Sequence, residues 1–454
     1  MLRVQLAGGR RAATARRVTA WLGVAVLLCS AQAPAADDAP PLPAVRFNGF
    51  ATVGSLATQI SQPWIFRRDL TQPNTSGGYA NALVDSRIGL QANYSPAPAW
   101  ELVGQLVAKR RRSDAPVSEM VQWAFVSYQP EPDFKIRLGR TSPDFFLLSD
   151  YRDVGFAFPW VRPSIEFYGW EPLTSIDGID LTKSWNTRMA VWRLKAAYGF
   201  SEATLSAEPS DDQLKLRGHN LMTLAASGES GGFTAKLSYA FVRVDVSRFA
   251  AAKEAIQALS PIEALAAQLP AQVVAEERSL AYNEAPSGAL SRYFGVGLAY
   301  DRGPWVTQAE LSYVSGDVLQ ERAWRGYGSF GYRIGPFLPY VAAARVLPRS
   351  ATVNPPSDWA AALAQVLPGP PVQAQAQALA LQSLGDTIAT DINASFYNQR
   401  SVSLGARWDL SAQTALKLQW DYYHVYANGA GLWGGGNNNS AYANVFSAVV
   451  DLVF

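Results

Sequence analysis

The sequence predicts an all-β fold, a transmembrane antiparallel up-and-down β-barrel of about sixteen strands. Three observations predict it: apolar and polar residues alternate within short segments, tight turns and long loops alternate between those segments, and the last segment runs to the final residue. Only 17% of the 454 residues are charged, against roughly 25% in soluble domains. After the N-terminus, no stretch approaches the ~20 apolar residues of a membrane helix.

Residues 1–35 are predicted to be a cleaved signal peptide, and residues 36–454 the barrel. Five arginines and no acidic residue accompany the apolar run 20–31, and Ala33-Pro34-Ala35 offers a cleavage site. Because five of the 39 basic residues lie there, the mature chain keeps 34 basic against 37 acidic residues, which gives no indication of nucleic-acid binding. The only cysteine, Cys29, is in the same segment, so the mature chain has no thiol chemistry.

The predicted strands share a two-residue period. In segment 83–94, Ile88 and Leu90 lie on one face, and Arg87 and Gln91 lie on the other, because side chains alternate across a strand. In the closing segment, Phe454 belongs to a wholly apolar face. The sixteen predicted strands are 45–55, 83–94, 100–109, 120–128, 134–140, 173–183, 189–198, 220–227, 233–244, 292–301, 305–313, 324–334, 337–346, 401–410, 416–423 and 443–454.

The connections between these strands alternate in length. Every second one is short and rich in turn residues, such as 95–99 and 228–232, whereas the others are mostly long, such as 141–172 and 347–399. Short periplasmic turns and long extracellular loops are typical of outer-membrane barrels. An even strand number places the last strand beside the first, and closing the sheet leaves no unpaired edge in the hydrocarbon.

The polar strand faces predict a water-filled lumen. They carry so many charged residues that a dry core is excluded, since each unpaired buried ion costs several kcal/mol. Aromatic residues cluster near strand ends, where they form girdles at the two interfaces with outer-membrane lipid. The basic residues that we assign to the pore wall are Arg87, Lys109, Arg137, Arg140, Arg193 and Lys195.

The opening strand FNGFATVGS, the closing strand ending at Phe454 and strands such as SVSLGARWDL resemble those of the sixteen-stranded porins of Gram-negative bacteria. The resemblance in organisation covers nearly all of the mature chain. It implies a passive outer-membrane channel for small hydrophilic solutes and a homotrimer whose third extracellular loop folds into each pore. The terminal Phe454 also resembles the signal that the barrel-insertion machinery recognises.

The predicted third loop, 141–172, supplies the candidate constriction. Opposed acidic loop and basic wall residues would select solutes by charge, with a slight preference for anions; alternatively, the charges pair and hold the loop in place. The many aromatic residues of the loop either fix it to the wall or form a surface for ligands. A substrate-selective porin for anions, sugars or aromatic acids therefore stays open. The charged loop residues assigned to the constriction are Asp144, Asp150, Arg152, Asp153, Arg162 and Glu166.

Two insertions depart from the porin pattern. The segments near 248–282 and 356–393 are rich in Ala, Gln and Leu and are predicted to be helical parts of the fifth and seventh loops. Two interpretations stay open: a packed extracellular cap, or a lid and binding surface over the pore. An adhesin-like barrel, in which these helices are the functional part, is an alternative function.

Catalytic interpretations find little support in the sequence. The two histidines, His219 and His424, are predicted in or beside loops, and the sequence has no GxSxG motif, metal-ligand cluster or Gly-rich phosphate loop. We therefore expect no enzymatic activity, no cofactor and no metal; an outer-membrane hydrolase is the enzymatic alternative. The predicted location is the bacterial outer membrane.

Overall fold

The computed structural model describes residues 45–73, 80–112, 114–206, 213–247, 250–316, 322–349 and 352–454. The predicted signal peptide lies outside the described residues. The described chain forms one sheet that closes on itself, because the first strand pairs with both the second long strand and the last one. The predicted closed antiparallel barrel is confirmed.

Sixteen long strands form the barrel wall, and each pairs with its neighbour in the chain. A two-residue strand, Ala80–Asn81, adds to the edge of the first strand. The long strands are β1 Val45–Ile60, β2 Arg87–Ala97, β3 Trp100–Lys109, β4 Val121–Glu131, β5 Phe134–Thr141, β6 Ile176–Asn186, β7 Val191–Ser206, β8 Gln213–Ser230, β9 Phe233–Ser247, β10 Ala289–Arg302, β11 Trp305–Gly316, β12 Ala323–Tyr332, β13 Phe337–Pro348, β14 Tyr397–Asp409, β15 Thr414–Ala430 and β16 Ala441–Val453.

The two ends of the barrel differ. At the end that carries the C-terminus, tight turns join the strands, and Gly232, Gly303 and Gly335 adopt positive φ angles of 88°, 61° and 60° there. We call this the turn end. At the opposite end, which we call the loop end, the connections are mostly long. The predicted alternation of turns and loops is therefore present.

Several predicted strand boundaries are wrong, and the largest differences concern β7, β8 and β15. The fourth loop, predicted at 199–219, is mostly strand, because β7 and β8 stay paired as far as Ser206 and Gln213. Backbone pairing continues there past a register shift between Gly199 and Ser201, which breaks the side-chain alternation used for the prediction. Conversely, the second predicted strand begins at Arg87 instead of residue 83, because residues 82–85 form a bend.

Apolar side chains cover the outside of the barrel and polar ones face the inside. Leu90, Leu404 and Leu418 point outward and are 54%, 49% and 55% exposed, whereas Lys417 is fully buried inside. Near the turn end, Trp305 packs against Phe330 and Tyr332, and Phe337 stacks on Trp408. An apolar exterior bordered by aromatic residues is the surface of a transmembrane barrel.

Six helices complete the described chain, apart from short 3₁₀ turns. A search of the described residues for a helix long and apolar enough to cross a bilayer finds none. One helix, α1 Ile165–Tyr168, lies within the third loop. The other five belong to the fifth and seventh loops: α2 Ala250–Ala258, α3 Ser260–Ala264, α4 Ala271–Glu284, α5 Trp359–Leu363 and α6 Pro371–Ala394.

Helices α2 to α6 pack together into one body at the loop end, which we call the helical cap. They share an apolar core of their own, separate from the core inside the barrel. Trp359 lies at its centre, fully buried, and its indole nitrogen donates to Glu276 at 2.8 Å. The two predicted helical insertions thus meet in space although about 90 residues of chain separate α4 from α6.

Candidate functional site

The third loop, residues 142–175, lies inside the barrel, and we call it the inserted loop. Its backbone turns through a 3₁₀ turn, Gly155–Ala157, and the short helix α1. Aromatic side chains cluster within it, because Phe146 packs edge-on against Phe145 and also meets Phe167. This apolar cluster extends to Tyr293 of the wall, so aromatic packing fixes one side of the loop.

The first polar anchor of the loop is Arg162. Its guanidinium binds Asp85 through hydrogen bonds of 2.9 and 2.6 Å and reaches Asp421 at 2.9 Å. Nη2 also donates to Ser447 at 2.6 Å. Burial alone lowers the pKa of Arg162, but the attraction of Asp85 and Asp421 outweighs burial and raises that pKa above its usual value. One buried cation thereby binds the loop to β15, to β16 and to the bend before β2.

The second polar anchor is Asp153. Its carboxylate accepts a short hydrogen bond from Arg68 and lies 3.2 Å from Nζ of Lys109, and its backbone carbonyl accepts from Nε of Arg87 at 2.6 Å. Burial raises the pKa of Asp153, but Lys109 and Arg68 outweigh burial and hold that pKa well below its usual range. Asp153 is therefore ionised and joins the loop to β2, β3 and the first loop.

The third anchor acts on the backbone of the loop. Lys417 of β15 donates to the carbonyls of Gly155 and Trp160 at 2.6 and 2.9 Å, and it lies 2.8 Å from Asp451 of β16. A Cβ on Gly155 would sit 2.0 Å from the carboxylate of Asp451. Glycine is required here because the loop backbone approaches the wall so closely.

Further anchors hold the other side of the loop. Lys236 of β9 binds Asp144 in a short ion pair and donates to the carbonyl of Phe146 at 2.6 Å. Lys195 of β7 lies 3.8 Å from Asp150 and 4.0 Å from Asp144. Burial raises the pKa of Asp144, but the two lysines outweigh burial and lower it. The acidic face of the loop is thus neutralised by the basic wall.

Two buried acids have hydrogen bonds as partners instead of cations. Glu310 of β11 accepts from the hydroxyls of Tyr168 and Tyr327, and from the backbone N–H of Leu147 at 2.8 Å. In helix α1, Glu166 is 1% exposed and accepts from Gln399 at 2.9 Å. Burial raises the pKa of Glu166 above its usual value. These acids position the loop through neutral donors.

Two gaps separate the inserted loop from the wall. Both gaps are narrow, and the one beside β12 to β15 is larger than the one beside β3 and β4. Polar side chains line both gaps together with aromatic ones. The first is lined among others by Trp160, Arg162, Glu166, Tyr327, Gln419 and Asp421, and the second by Gln105, Trp123, Asp150, Arg152 and Asp153.

The structure brings most of the predicted site residues together. Asp144, Asp150, Asp153, Arg162 and Glu166 lie on the inserted loop in the contacts described above. Arg152 reaches the carbonyl of Tyr168 at 3.5 Å. On the wall, Arg137 binds Asp180 of the neighbouring strand at 2.8 Å, and Arg193 lies on the inward face of β7, two residues before Lys195. The loop and wall charges meet in direct pairs.

One predicted wall residue is misplaced. Arg140 faces the outside of the barrel, where it binds Asp177 through two hydrogen bonds of 2.6 Å. The physical reason is the strand period, because Arg140 is three residues from Arg137 and therefore lies on the opposite face. Both Arg140 and its neighbour on β4, Ala124, share the outward face with Leu138.

Several residues at the centre of the site were missed. Arg68, Asp85 and Lys236 each hold the inserted loop, yet none was assigned to the constriction. Lys417 and Asp421 lie on the polar faces of predicted strands, which indicated an inward direction but not contact with the loop. Their position on a polar strand face was the signal that could have identified Lys417 and Asp421. No such signal exists for Arg68, because it lies in a loop with no periodic pattern.

The C-terminal residue closes the sheet at the turn end. Backbone hydrogen bonds of 2.8 and 3.0 Å join Phe454 to Gly49 of β1. The Phe454 ring lies outside the barrel, 60% exposed, over Gly49, where an added Cβ would come within 2.3 Å of the ring. The terminal aromatic side chain therefore rests on a glycine of the first strand.

The two histidines lie on strands and not in loops, which corrects their predicted positions. His219 of β8 is 3.0 Å from Asp245, and His424 of β15 is stacked between the rings of Tyr426 and Tyr442. Within the described ranges, no group of three or more His, Cys, Asp or Glu residues could hold a metal ion.

Comparisons with known proteins give likenesses in structure only. No family model matches the chain, and no curated protein does. Among solved structures, the chain is similar to OmpF of Salmonella typhi, 10% identical, covering 90% of this chain and 97% of that one at a TM-score of 0.47. It is also similar to the outer-membrane channel DcaP of Acinetobacter baumannii, 11% identical, covering 90% and 98% at 0.47.

A third similar structure is the anion-selective porin of Comamonas acidovorans, 11% identical, covering 90% of this chain and 100% of that one at a TM-score of 0.45. The chain's own architecture is decisive for the fold, since sixteen long strands close around an inserted third loop. The chain has a porin-type barrel fold.

Proposed function

We propose that this protein is a passive diffusion channel for small hydrophilic solutes in the bacterial outer membrane. One observation carries the proposal: a closed barrel with an apolar exterior has a charged interior, and the third loop is inserted there and anchored to the wall. Solutes cross the barrel interior beside the loop, down their gradient. Neither a cofactor nor covalent chemistry takes part.

The paired charges favour weak selectivity. A unit charge ~4 Å from an ion in water contributes about 1 kcal/mol, whereas a neutralised pair contributes much less. Because Asp144 and Asp153 are each paired with lysine, the acidic side of the loop is the more fully neutralised. Arg193 on the neighbouring wall then supports the slight preference for anions that we retain as part of the proposal.

Assembly completes the proposal. Residues 1–35 direct export and are removed, and Phe454 is read by the barrel-insertion machinery. The mature chain forms a homotrimer, so that three pores act side by side. The exposed position of Phe454 at the turn end, outside the barrel wall, supports its recognition by another protein.

A second candidate is a pore selective for sugars. Its supporting observation is the lining of the larger gap, where Trp160 and Tyr327 lie beside Ser401, Ser403 and Gln419. Aromatic faces and neutral hydrogen-bonding groups are the surfaces that polyhydroxylated solutes contact. A sugar held there would obstruct the passage of ions.

Single-channel recording in planar bilayers tests the function. Stable conductance steps with a reversal potential near zero in a salt gradient are expected, together with a small displacement toward anions. Maltose added to one side distinguishes the candidates, because concentration-dependent block supports the sugar pore. Bilayers that stay silent, with hydrolase activity or cell adhesion in the same preparation, would overturn the channel proposal.

A further inference from the structure

Near the loop end, a row of four residues crosses the outer surface of the barrel. Arg345 of β13 lies opposite Arg400 of β14, Arg400 lies opposite His424 of β15, and His424 lies opposite Tyr442 of β16. All four share the outward strand face, since the inward face of β13 holds the buried Ala344 and Val346. Two arginines directly opposite each other repel, so the sheet alone does not favour this arrangement.

The row contains no acid to neutralise it. Of the described carboxylates, none is within ion-pair distance of Arg345 or Arg400. Nη1 of Arg345 and Nδ1 of His424 are buried atoms without a hydrogen-bond partner in the described chain. Buried polar atoms are nearly always satisfied, and unsatisfied ones indicate a missing partner.

Aromatic rings hold these groups in fixed positions. The guanidinium carbon of Arg345 lies 4.4 Å from the ring centre of Tyr426, and the His424 ring stacks at 4.1 Å from Tyr426 and 4.5 Å from Tyr442. A guanidinium stacked on a ring keeps its N–H edge free to bind in the ring's plane. The row is therefore rigid while its donors stay unoccupied.

Some other outward cations near the loop end have acidic partners on neighbouring strands. Arg140 binds Asp177, Arg217 lies 3.3 Å from Glu202, and His219 lies 3.0 Å from Asp245. Arg345 and Arg400 instead lie opposite each other, with no acid of the described chain within ion-pair distance.

The neighbourhood of the row indicates what that partner is. On the same outward face, Tyr442 is level with the row, and Tyr422 and Trp420 of β15 lie one and two outward positions farther from the loop end. Such rings mark the level of lipid head groups, with hydrocarbon beyond them. At this level of a bilayer, the phosphate of a lipid head group is available as an anion.

We propose that Arg345, Arg400 and His424 form a binding site for the phosphate group of a membrane lipid on the outer wall of the barrel. Arginine pairs bind phosphate through parallel N–H···O bonds, and a phosphate between the two guanidiniums removes their repulsion. The acyl chains of the lipid lie along the apolar outer faces of β13 to β15, below the site. Binding involves no bond making or breaking.

Lipid titration of the purified full-length protein tests the site. Wild type and Arg345→Gln/Arg400→Gln are kept in a neutral detergent that has no phosphate group, with or without phosphatidic acid, and retained phosphatidic acid is counted by native mass spectrometry. We expect the double variant to bind phosphatidic acid at least roughly ten-fold more weakly than wild type, because two charge-assisted contacts are lost. Equal retention by both proteins overturns the proposal.

Two matched variants sharpen the result. Arg217→Gln removes an outward arginine of the same rim that already has an acidic partner, and it should retain phosphatidic acid as wild type does. Arg345→Lys/Arg400→Lys keeps the charge but loses the planar fork, and it should bind with intermediate affinity. Loss of binding in Arg217→Gln, or full binding in the lysine variant, would show that binding depends only on general surface charge. Either result would overturn the proposed site.

Inorganic phosphate distinguishes the lipid from a free anion. In neutral detergent, phosphatidic acid should raise the unfolding temperature of wild type but not of the glutamine variant, and inorganic phosphate at equal concentration should raise neither. If inorganic phosphate is as effective as the lipid, the site takes phosphate without a membrane and the lipid assignment fails. Conductance should be unchanged in every variant, because the row lies outside the lumen; channel activity therefore reports separately on the proposed function.

Discussion

The inserted loop and the helical cap are held in place by different physical means. The loop is joined to the barrel by buried charges, with Arg162 and Lys417 at 3% and 0% exposure. The cap is held by an apolar core of its own, in which Trp359 and Leu363 are both fully buried. Its best-formed ion pair, Arg278 with Glu263, lies on the surface.

The difference follows from what surrounds each segment. A loop inside the lumen meets a wall of charged side chains, so it can be fixed only by supplying opposite charges and hydrogen-bond partners. The helices outside the barrel meet no apolar wall and bury their apolar faces against each other. The loop is therefore attached to the barrel at many points, whereas the cap is mainly attached to itself.

Removing the central cation of the loop should have the largest effect. Arg162→Met leaves Asp85 and Asp421 buried without a counterion, which typically costs 3–5 kcal/mol, so about that loss of unfolding free energy is expected. The unfolding temperature in detergent measures it, and single-channel records should become larger and noisier as the loop detaches. Arg152→Met, in the same loop with a long hydrogen bond of 3.5 Å to Tyr168 and longer-range attraction to Asp69 and Asp153, is the matched control. Equal effects of the two changes would contradict the assignment of Arg162 as the main anchor.

A cavity in the cap should be nearly as costly but should stay local. Leu363→Ala is expected to destabilise the cap by about 2–5 kcal/mol, because a fully buried leucine is truncated. Limited proteolysis of the folded protein measures opening of the cap, and the heat-modifiable mobility of the barrel in gels measures the stability of the barrel. Leu379→Ala, at a site 54% exposed in the same cap, should change neither. If Leu363→Ala lowers barrel stability as well, the cap and barrel form one cooperative unit.

The sequence is a good guide to these strands but a poor one to the contacts of the loop. The two-residue period placed Leu90 outside and Arg87 inside, because each strand separates an apolar from an aqueous environment. The same period would have placed Arg140 outside, since an odd spacing from Arg137 reverses the face. The sequence therefore contained the information needed to place Arg140 on the outward face.

The loop contacts carry no such period. Which wall residue meets Asp153 depends on where the chain crosses the lumen, and Arg68 reaches it from a different loop, 85 residues earlier in the chain. Likewise, the pairing of α4 with α6 in the cap depends on the barrel bringing the fifth and seventh loops together. Long-range placement of this kind is absent from local patterns, so the sequence predicted helices and charges but not their partners.

Two acids of the inserted loop should respond oppositely to pH. The depressed pKa of Asp153 means that its contribution to stability is complete above its unfolded pKa of about 3.9 and is lost as the pH falls through the folded pKa. Burial raises the pKa of Glu166, so its ionisation costs stability at neutral pH and that cost is relieved as the pH falls toward its unfolded pKa of about 4.3.

Amide substitutions separate the two acids. Asp153→Asn should lower the unfolding temperature at pH 7, and Glu166→Gln, which removes a buried charge and keeps the shape, should leave it unchanged or raise it. For Glu166→Gln the difference from wild type should shrink as the pH falls toward about 4, whereas for Asp153→Asn it should persist to about pH 4 and shrink only below that. Unfolding temperatures measured across this range check both signs. A loss of stability in Glu166→Gln at neutral pH would show that the Gln399 contact needs the charged acceptor.

The smallest effect is expected from the surface ion pair of the cap. Arg278 binds Glu263 through two hydrogen bonds of 2.6 and 3.0 Å, and the pair links α4 to α3 with good geometry. The side chains of Arg278 and Glu263 are nevertheless 63% and 50% exposed, so water and salt screen their attraction. The entropy lost in ordering two long side chains offsets part of what remains. Arg278→Ala should therefore leave protease resistance of the cap almost unchanged, and the small difference that low salt reveals should vanish at high salt. Cap opening in Arg278→Ala comparable to that in Leu363→Ala would mean that charges hold the cap as they hold the loop, and the distinction between the two segments would be lost.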